Sequence, residues 1–481
     1  MIYISEKFYI TTAIPYVNAK PHLGHTLEFI QTDVLRRFHA LKGEETFLVT
    51  GADENSLKNV QAAERLGIPT QELCDINGEK FRVLAKKIGL DYDVFRKSSS
   101  RTEHSPGVIE LWNLCDKNGD IYKKKYRGLY CVGCEVFYKE EDLIKGVCPE
   151  HQTRPEEVEE ENYFFKLSKY QEKLIEIIES EQYPITPEFR KNEVLAFLKS
   201  GLQDFSISRS NKRAKNWGVQ VPGDNSQRIY VWFDALNIYQ SGIGFGWDED
   251  MYKKWWHANL HVIGKGIIRF HAVYWPAILL SAELSLPKGL FVHEYFTVNG
   301  QKMSKTLGNV YDPNIAIEKY GADALRYFCL SKISPFLDGD FSEDKLHESY
   351  NADLANGLGN LVARVAKLCE SHSVIAEAEG AASSKTKQSL DPKMTTHLED
   401  YKFNEALSHI WGEISEADKK VNLEKPWELS GDKAKTVLED LVKRIQHIAY
   451  NLQPFLPETS EKILKQFSGS IKSSASLFPR I

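Results

Sequence analysis

The sequence lacks long apolar runs, and no segment reaches the about 18 consecutive apolar residues that a membrane-spanning helix needs. It also lacks a signal-peptide pattern, because a strand-like segment directly follows the first seven residues. Basic residues do not predominate, since the formal net charge is -6 over 481 residues. These absences exclude a membrane protein and predict a cytoplasmic location. Any nucleic-acid binding must come from local clusters of cations, and not from the overall charge.

Cysteine is scarce, and its seven copies are unevenly distributed. Four stand alone in apolar surroundings and are predicted core residues: Cys74, Cys115, Cys329 and Cys369. The others form the pattern Cys131-x2-Cys134-x13-Cys148-x2-His151, which brings three thiolates and one imidazole to the corners of a tetrahedron around zinc. A redox pair is the alternative, but the second half-site with Pro149 suits metal binding and is not needed for redox chemistry. Four protein ligands close the coordination sphere, so the predicted zinc is structural.

The motif Pro21-His22-Leu23-Gly24-His25 stands at the start of a predicted helix. A predicted strand, Phe8–Thr12, precedes it, and a second, Phe47–Gly51, ends close to Asp53. Apolar residues recur between them at spacings of three and four: Leu23, Leu27, Ile30, Val34 and Phe38. The unpaired N–H groups and the dipole of a helix N-terminus favour an anion. Strand, helix and strand predict a doubly wound α/β sheet that binds ligands beyond its carboxyl edge.

A second motif, Lys302-Met303-Ser304-Lys305-Thr306, follows a predicted strand over Phe291–Val298 and a hairpin-type turn at Asn299-Gly300. Ammonium groups on such a loop suit phosphoryl oxygens. Taken alone, the histidines are as consistent with helix capping, and the lysines with an ordinary surface. Together and in this order, the two motifs predict the two halves of a clamp around a triphosphate.

The paired motifs resemble the HIGH and KMSKS signatures of the class I aminoacyl-tRNA synthetases. Three further segments, Ala13–Tyr16, Trp232–Tyr239 and Ile267–His271, resemble the amino-acid pocket of the methionyl-tRNA synthetase family. The resemblance extends from Phe8 to beyond Trp427. It implies ATP-dependent ligation of L-methionine to tRNA(Met) through a methionyl-adenylate, with release of AMP and diphosphate.

The resemblance also implies roles for individual residues. His22, His25, Lys302 and Lys305 would be catalytic, and the ATP site would comprise His22, Gly24, His25, Lys302, Ser304 and Lys305, with Mg²⁺ accompanying the nucleotide. Methionine would be bound by Ala13, Ile14, Tyr16, Asp53, Trp232, Ala235, Tyr239, Ile267 and His271. Asp53 would hold the α-ammonium group, and aromatic rings suit the thioether sulfur. Without the resemblance, core packing would be the simpler interpretation of these aromatic residues.

The resemblance also implies recognition of the tRNA anticodon. Three residues match the anticodon-reading positions of the family: Asn360, Arg364 and Trp427. Amide, guanidinium and aromatic groups are the ones that read unstacked bases. The alternative for Trp427 is a place in the core of a helical bundle.

The chain departs from the family's usual motifs at two places. It has Asp53-Glu54-Asn55-Ser56 where the family usually reads Asp-Glu-His-Gly, and Gly264-Lys265-Gly266 where the family usually reads Gly-Lys-Asp. We expect a side-chain contact to the nucleotide or amino acid to be missing at each, including ATP or ribose contacts near Gly266. Since Asp53 is kept, we expect catalysis to survive.

Five segments organise the chain. They are a first half of the catalytic domain (1–116), an insert with the zinc knuckle (117–228), a second half (229–298), a KMSKS loop and stem-contact region (299–350) and an all-α anticodon-binding bundle (351–481). Strands are predicted over Ile229–Asp234 and Leu260–Gly264, and an exposed connection over Ser371–Pro392. One helix face carries Leu354, Leu358, Leu361, Val365 and Leu368.

Two other functions remain open at this point. One is a class I synthetase for leucine, isoleucine, valine or cysteine, although the insert leaves little room for the large editing domain of those that act on branched substrates. The other is an inactive nucleotide- or tRNA-binding protein on the same scaffold. A monomer is expected, because the chain carries no further C-terminal domain after the bundle.

Overall fold

A six-stranded parallel sheet forms the centre of the fold. The computed structural model describes residues 6–131, 136–149, 152–303, 310–376 and 388–481. In spatial order the strands are Val94–Lys97, Glu45–Ala52, Lys7–Thr12, Leu260–Gly264, Leu290–His293 and Ile185–Thr186. Every pair in this sheet is parallel. The chain moves from Lys7–Thr12 to one edge and later fills the other side, which is the doubly wound arrangement. The predicted α/β class with a parallel sheet is confirmed.

Helices cover the sheet, and the one that positions the histidine motif is Leu23–Leu41. Most of this helix is buried, because its apolar stripe packs on the first two strands and its remaining faces meet other helices. The other helices of the first half are Leu57–Leu66, Thr70–Lys87 and Ser105–Lys117. Those of the second half are Val231–Leu236, Ile238–Ser241, Glu249–Trp255 and Trp275–Ser281, the last preceded by a π-helical turn at Phe270–Tyr274.

Two small antiparallel sheets lie within the segment 117–228. Their strands are Val136–Tyr138, Ile121–Cys131, Glu156–Phe165 and Phe205–Ser206 in one, and Gln220–Val221, Asp224–Ile229 and Ser208–Ser210 in the other. The helices of this segment are Gln171–Glu179, Glu188–Lys199 and Asn211–Ala214. Ile185–Thr186, however, pairs with Leu290–Phe291 and belongs to the central sheet. The segment therefore also supplies one edge strand of that sheet. The limits of the insert, 117–228, remain a prediction.

The predicted strand at Ile229–Asp234 is wrong. The strand ends at Ile229, and Val231–Leu236 is a helix. A short run that is apolar at nearly every position has no period that separates a buried strand from a buried helix. The predicted strand at Phe291–Val298 is two strands, Leu290–His293 in the central sheet and Phe296–Val298 in another.

Phe296–Val298 lies in a three-stranded sheet with Gln301–Lys302 and Gly339–Phe341. The predicted turn is present: Asn299 and Gly300 have φ of 52° and 73°, the left-handed values of a tight hairpin turn. Three helices follow in this region: Pro313–Tyr320, Ala322–Ser331 and Glu343–Ser349.

The C-terminal part is helical, as predicted. It contains a π-helical segment, Tyr350–Gly359, and the helices Asn360–Ser371, Pro392–Glu399, Phe403–Glu424, Gly431–Leu452 and Pro457–Gln466. Of the predicted apolar face, four residues are buried and Leu368 is partly buried. The predicted connection lies partly outside the described residues. Within them, Ile375–Ala376 forms a short strand with Gly469–Ser470, in which Ile375 is exposed and Ala376 is buried.

The four isolated cysteines are all buried, which confirms their prediction as core residues. Among the helices of the described residues, none combines the length and the apolar content needed to cross a bilayer.

Candidate active site

A cavity of about 370 Å³ opens at the carboxyl edge of the central sheet. Its wall includes residues from both ends of the predicted clamp, His22 and His25 from the first helix and Met303 from the second motif. Lys20 and Asp312, which flank the two motifs in sequence, form an ion pair at 2.8 Å. The structure therefore brings together segments that lie almost 300 residues apart.

The two histidines cap the helix that begins at Leu23. His22 has extended backbone, and its Nδ1 accepts a hydrogen bond from the Gly24 amide at 3.1 Å. His25 Nδ1 accepts the His22 amide, also at 3.1 Å. Because each Nδ1 is an acceptor, each neutral ring carries its proton on Nε2 and is an N–H donor there. A Cβ at Gly24 would lie 3.0 Å from His22 Cε1, so glycine makes room for this ring.

The second motif begins beside this cavity. The backbone of Lys302 pairs with Thr297 across the hairpin, and Met303 lies in the cavity wall. Asp340 supports the turn: its Oδ1 accepts hydrogen bonds from the Gly300 amide at 2.6 Å and from Thr297 Oγ1 at 2.8 Å. The side chain of Lys302, and Ser304 and Lys305 entirely, lie outside the described residues.

Five of the nine residues predicted to bind methionine line the cavity: Ala13, Ile14, Tyr16, Trp232 and Ile267. The Trp232 ring stacks on Phe270 with centroids 3.7 Å apart and meets Tyr16 edge-on at 6.3 Å. Its indole N–H is buried without a hydrogen-bond partner among the described residues. An aromatic wall of this kind suits an apolar, polarisable side chain.

Tyr239 and His271, also predicted for methionine, are buried and are not part of the cavity lining formed by the described residues; the same holds for Ala235. The Tyr239 hydroxyl donates to His271 Nε2 at 2.6 Å, and His271 Nδ1 donates to the Ile267 carbonyl at 3.0 Å. Burial lowers the pKa of His271 to about 4, and it lowers the pKa of the neighbouring His261 well below its usual range. Both rings are therefore neutral at pH 7, and His271 supports the cavity wall through its contacts with Ile267 and Trp232.

Asp53 is buried beside the cavity. Its amide donates to the Pro15 carbonyl at 2.9 Å, and it forms a parallel bridge with Tyr16, so it is joined to two residues of the wall. Its carbonyl accepts a hydrogen bond from Asn59 Nδ2. The carboxyl end of Glu45–Ala52 thus delivers a carboxylate to the edge of the sheet where ligands bind.

The two residues that follow the acidic pair have structural partners. Asn55 Nδ2 donates to Asp234 Oδ2 at 2.9 Å and to the Ser98 carbonyl at 2.8 Å. Ser56 caps the helix Leu57–Leu66 by accepting the Lys58 amide. This departure from the family motif therefore ties the end of one strand to the helix Val231–Leu236.

Several cavity residues lie outside the predicted site, and two of them, Glu28 and His293, form a pair. Glu28 Oε1 accepts the Ala13 amide at 2.8 Å, and its Oε2 lies 3.1 Å from His293 Nε2. Two signals were available. Glu28 lies one helical turn after His25 and so shares its face, and His293 ends a strand of the parallel sheet.

Two of the four predicted zinc ligands, Cys134 and His151, lie outside the described residues. The other two are buried, and Thr153 contacts both: its hydroxyl is 4.0 Å from Cys131 Sγ, and its carbonyl accepts the Cys148 amide. Cys131 ends a strand, and the Gln152 amide returns to the Cys148 carbonyl at 2.8 Å in a tight turn. Two buried thiols that share contacts with Thr153 are ligand types that fit zinc.

A different group of possible ligands lies in the helical part. Asp391, His409 and Glu413 place one ligand atom each within 4.8 Å of one another. His409 Nε2 is 3.0 Å from Asp391 Oδ1, and Asp391 also caps the helix Pro392–Glu399. The contact between Asp391 and His409 and the helix cap give Asp391 a structural role here.

The three predicted anticodon residues all lie on the bundle surface or close to it. Trp427 is 48% exposed, so its alternative place in the bundle core is excluded. Asn360 is exposed at the first turn of its helix, and Arg364 follows one turn later. The Arg364 guanidinium donates to Asp418 Oδ1 at 2.9 Å and to Asn422 Oδ1 at 2.8 Å.

Comparison with known proteins matches residues 8–156 and 151–366 to the family described as tRNA synthetases class I (M). The methionine–tRNA ligase of Thermotoga maritima is 40% identical over 97% of this chain and 76% of its own length. That of Brucella melitensis is 40% identical over 95% of this chain and 91% of its own length. The structure of Mycobacterium tuberculosis methionyl-tRNA synthetase in complex with methionyl-adenylate superposes with a TM-score of 0.90, at 34% identity, over 99% of this chain and all of the other.

Proposed function

Because the chain belongs to the methionine-specific class I tRNA synthetases, we propose that it ligates L-methionine to tRNA(Met), using ATP and releasing AMP and diphosphate. The observation that supports this best is the single cavity shared by the histidine motif, the start of the second motif and the aromatic wall. An inactive binding protein would not need all three together. The proposal includes the cytoplasmic location that the sequence predicts.

In the first step, a carboxylate oxygen of methionine attacks the α-phosphorus of ATP, and the bond to the departing diphosphate breaks. The carboxylate is already ionised at neutral pH, so no general base is needed, and the protein contributes position and charge. His22 and His25 donate their Nε2–H groups to the α-phosphate oxygens as negative charge develops. Lys302 and Lys305 hold the leaving phosphates. Mg²⁺ that accompanies ATP would neutralise part of the charge of these phosphates.

In the second step, a hydroxyl of the terminal tRNA ribose attacks the carbonyl carbon of the methionyl-adenylate, and AMP leaves. The aromatic wall around Trp232 holds the methionine side chain, and Asp53 holds its α-ammonium group by a charge-assisted hydrogen bond. Gly24 leaves room for the nucleotide beside the helix N-terminus.

The test is ATP–diphosphate exchange measured with each of the twenty amino acids. We expect exchange with methionine alone. Exchange with another amino acid would identify a synthetase of different specificity, and no exchange with any of them would identify an inactive binding protein.

The insert is proposed to hold one structural zinc ion through Cys131, Cys134, Cys148 and His151. We expect one equivalent of zinc in the purified protein and none in the Cys131→Ser variant, because the remaining ligands no longer close the tetrahedron. Amide hydrogen exchange should rise in Ile121–Cys131 and stay unchanged in Lys7–Thr12. Elemental analysis and exchange mass spectrometry measure both. The control, Cys369→Ala, should keep the zinc; wild-type protein without zinc would contradict the proposal.

The bundle is proposed to read the anticodon, with Trp427 as a stacking platform and Asn360 and Arg364 as its polar groups. Stacking of a base on an aromatic ring is worth about 1–3 kcal/mol. We therefore expect Trp427→Ala to lower kcat/KM for tRNA about tenfold in aminoacylation, with methionine-dependent exchange unchanged. Trp427→Phe should retain most of the activity because it keeps a ring. Equal losses in both reactions would show that Trp427 only stabilises the fold.

A further inference from the structure

A buried carboxylate that the sequence analysis did not identify lies in the cavity wall. Glu294 is 5% exposed and follows directly after the strand Leu290–His293. Its neighbours are cationic: Lys265 Nζ donates to Oε2 at 2.7 Å and Arg190 Nε donates to Oε1 at 2.8 Å. These two cationic donors pair with the buried carboxylate and fix its position. Oε1 accepts a second hydrogen bond from the same guanidinium, through Arg190 Nη2, so Oε2 is the oxygen with a further lone pair for a ligand.

The space beside Gly266, the position where the family usually carries an acidic residue, is filled by the Tyr295 side chain. Its amide donates to the Tyr295 hydroxyl at 2.7 Å, and a Cβ added at Gly266 would lie 2.1 Å from that oxygen. The Tyr295 ring also lies 3.0 Å from the place of a Cβ at Gly264. Tyr295 therefore covers the segment from Gly264 to Gly266, and any acidic contact to the ligand must come from elsewhere.

Glu294 and Gly264 stand at the carboxyl ends of neighbouring parallel strands and line the same cavity. A carboxylate moved from one strand end to the next remains at the ligand-binding edge of the sheet. The Glu294 carboxylate would repel the phosphates of ATP. It can accept hydrogen bonds only from neutral donor groups of the nucleotide. The ribose hydroxyls are such donors, and they lie next to the α-phosphate that His22 and His25 are proposed to bind.

We propose that Glu294 binds a ribose hydroxyl of ATP and so replaces, from the adjacent strand, the carboxylate that is absent at Gly266. This inference rests on the proposed function and deepens it. Glu294 acts as a positioning residue: its hydrogen bond sets the ribose, and through it the α-phosphate, relative to the two histidines. Lys265 and Arg190 orient it in turn.

The test compares kcat/KM for ATP, 2′-deoxy-ATP and 3′-deoxy-ATP in methionine-dependent exchange. We expect the wild-type enzyme to prefer ATP over one of the deoxy nucleotides about tenfold or more, as hydrogen bonds to charged groups are the stronger class. In Glu294→Ala that preference should fall close to one. Glu294→Gln keeps the shape of the side chain and loses its charge, so it should show an intermediate ratio of kcat/KM between ATP and the deoxy nucleotide. This variant replaces Glu294→Ala in the test if the alanine variant does not fold.

Asp338→Asn is the matched control, because Asp338 also pairs with Lys265, at 2.6 Å, but does not line the cavity. It should keep the wild-type ratio. A purely structural role of Glu294 would lower the rates with all three nucleotides equally, and an unchanged ratio would overturn the inference. Wild-type protein that shows no exchange with methionine would instead refute the proposed function, so the two failures are distinguishable.

Discussion

The His25→Asn variant is expected to lose a factor of about 100 to 1,000 in kcat for methionine-dependent ATP–diphosphate exchange. Loss of one preorganised donor to developing negative charge has this magnitude in other enzymes. The asparagine Oδ1 replaces Nδ1 as the acceptor for the His22 amide, so the helix cap is kept. What disappears is the Nε2–H donor. The measurement is the exchange rate at saturating ATP and methionine.

The matched variant is His25→Gln, whose amide nitrogen reaches the place of the imidazole Nε2. We expect it to recover part of the lost rate even though it supports the helix cap less well. Thermal unfolding of both variants separates the two effects, because a loss of the cap lowers the stability of the helix by about 1 kcal/mol. If activity followed stability and not the Nε2 donor, the proposed role of His25 would be wrong.

The Asp53→Asn variant is expected to lower kcat/KM for methionine at least about 30-fold, with little change in KM for ATP. Removing one charge of a buried, hydrogen-bonded ion pair costs roughly 2–5 kcal/mol, and Asp53 is only 1% exposed. The substitution keeps the size of the side chain, so the backbone contacts with Pro15 and Tyr16 persist. Exchange kinetics at varied methionine concentration measure the effect.

The neighbouring Glu54 offers a control of the same charge. It is fully buried as well, its carboxylate contacts Ser99 and Lys97, and burial raises its pKa. Neither carboxylate is in the cavity lining formed by the described residues, but Asp53 is joined to two residues of the wall, Pro15 and Tyr16. The two partners of the Glu54 carboxylate are not part of that wall. We expect Glu54→Gln to leave kcat/KM for methionine nearly unchanged, although it alters stability. Similar losses in both variants would mean that Asp53 holds the strand end and does not recognise the α-ammonium group.

Local patterns predicted the parts of the fold that depend on neighbours in sequence. The first helix begins where the histidine motif places it, because the spacing of its apolar residues and the cap are both local. The tight turn at Asn299-Gly300 is likewise a property of those two residues. The helix Val231–Leu236 was missed for the converse reason, since its sequence has no clear period and its burial decides its form.

The site itself was predicted in part. Motif residues such as His22 and Tyr16 share one cavity, as expected, whereas Tyr239 and His271 support its wall from behind Ile267 and Trp232. The pair of Glu28 and His293 could not be derived from spacing, because 265 residues separate its members.

The amino-acid order alone was enough to establish the family, the helix whose first turn carries the two histidines, and the candidate zinc ligands. These depend on short-range periodicity, capping and motif spacing. The three-dimensional arrangement determined that Tyr295 closes the space at Gly266 and that Glu294 enters the same cavity. Pairing of strands that are distant in the chain creates such contacts, and that pairing depends on the whole sheet and not on any local segment.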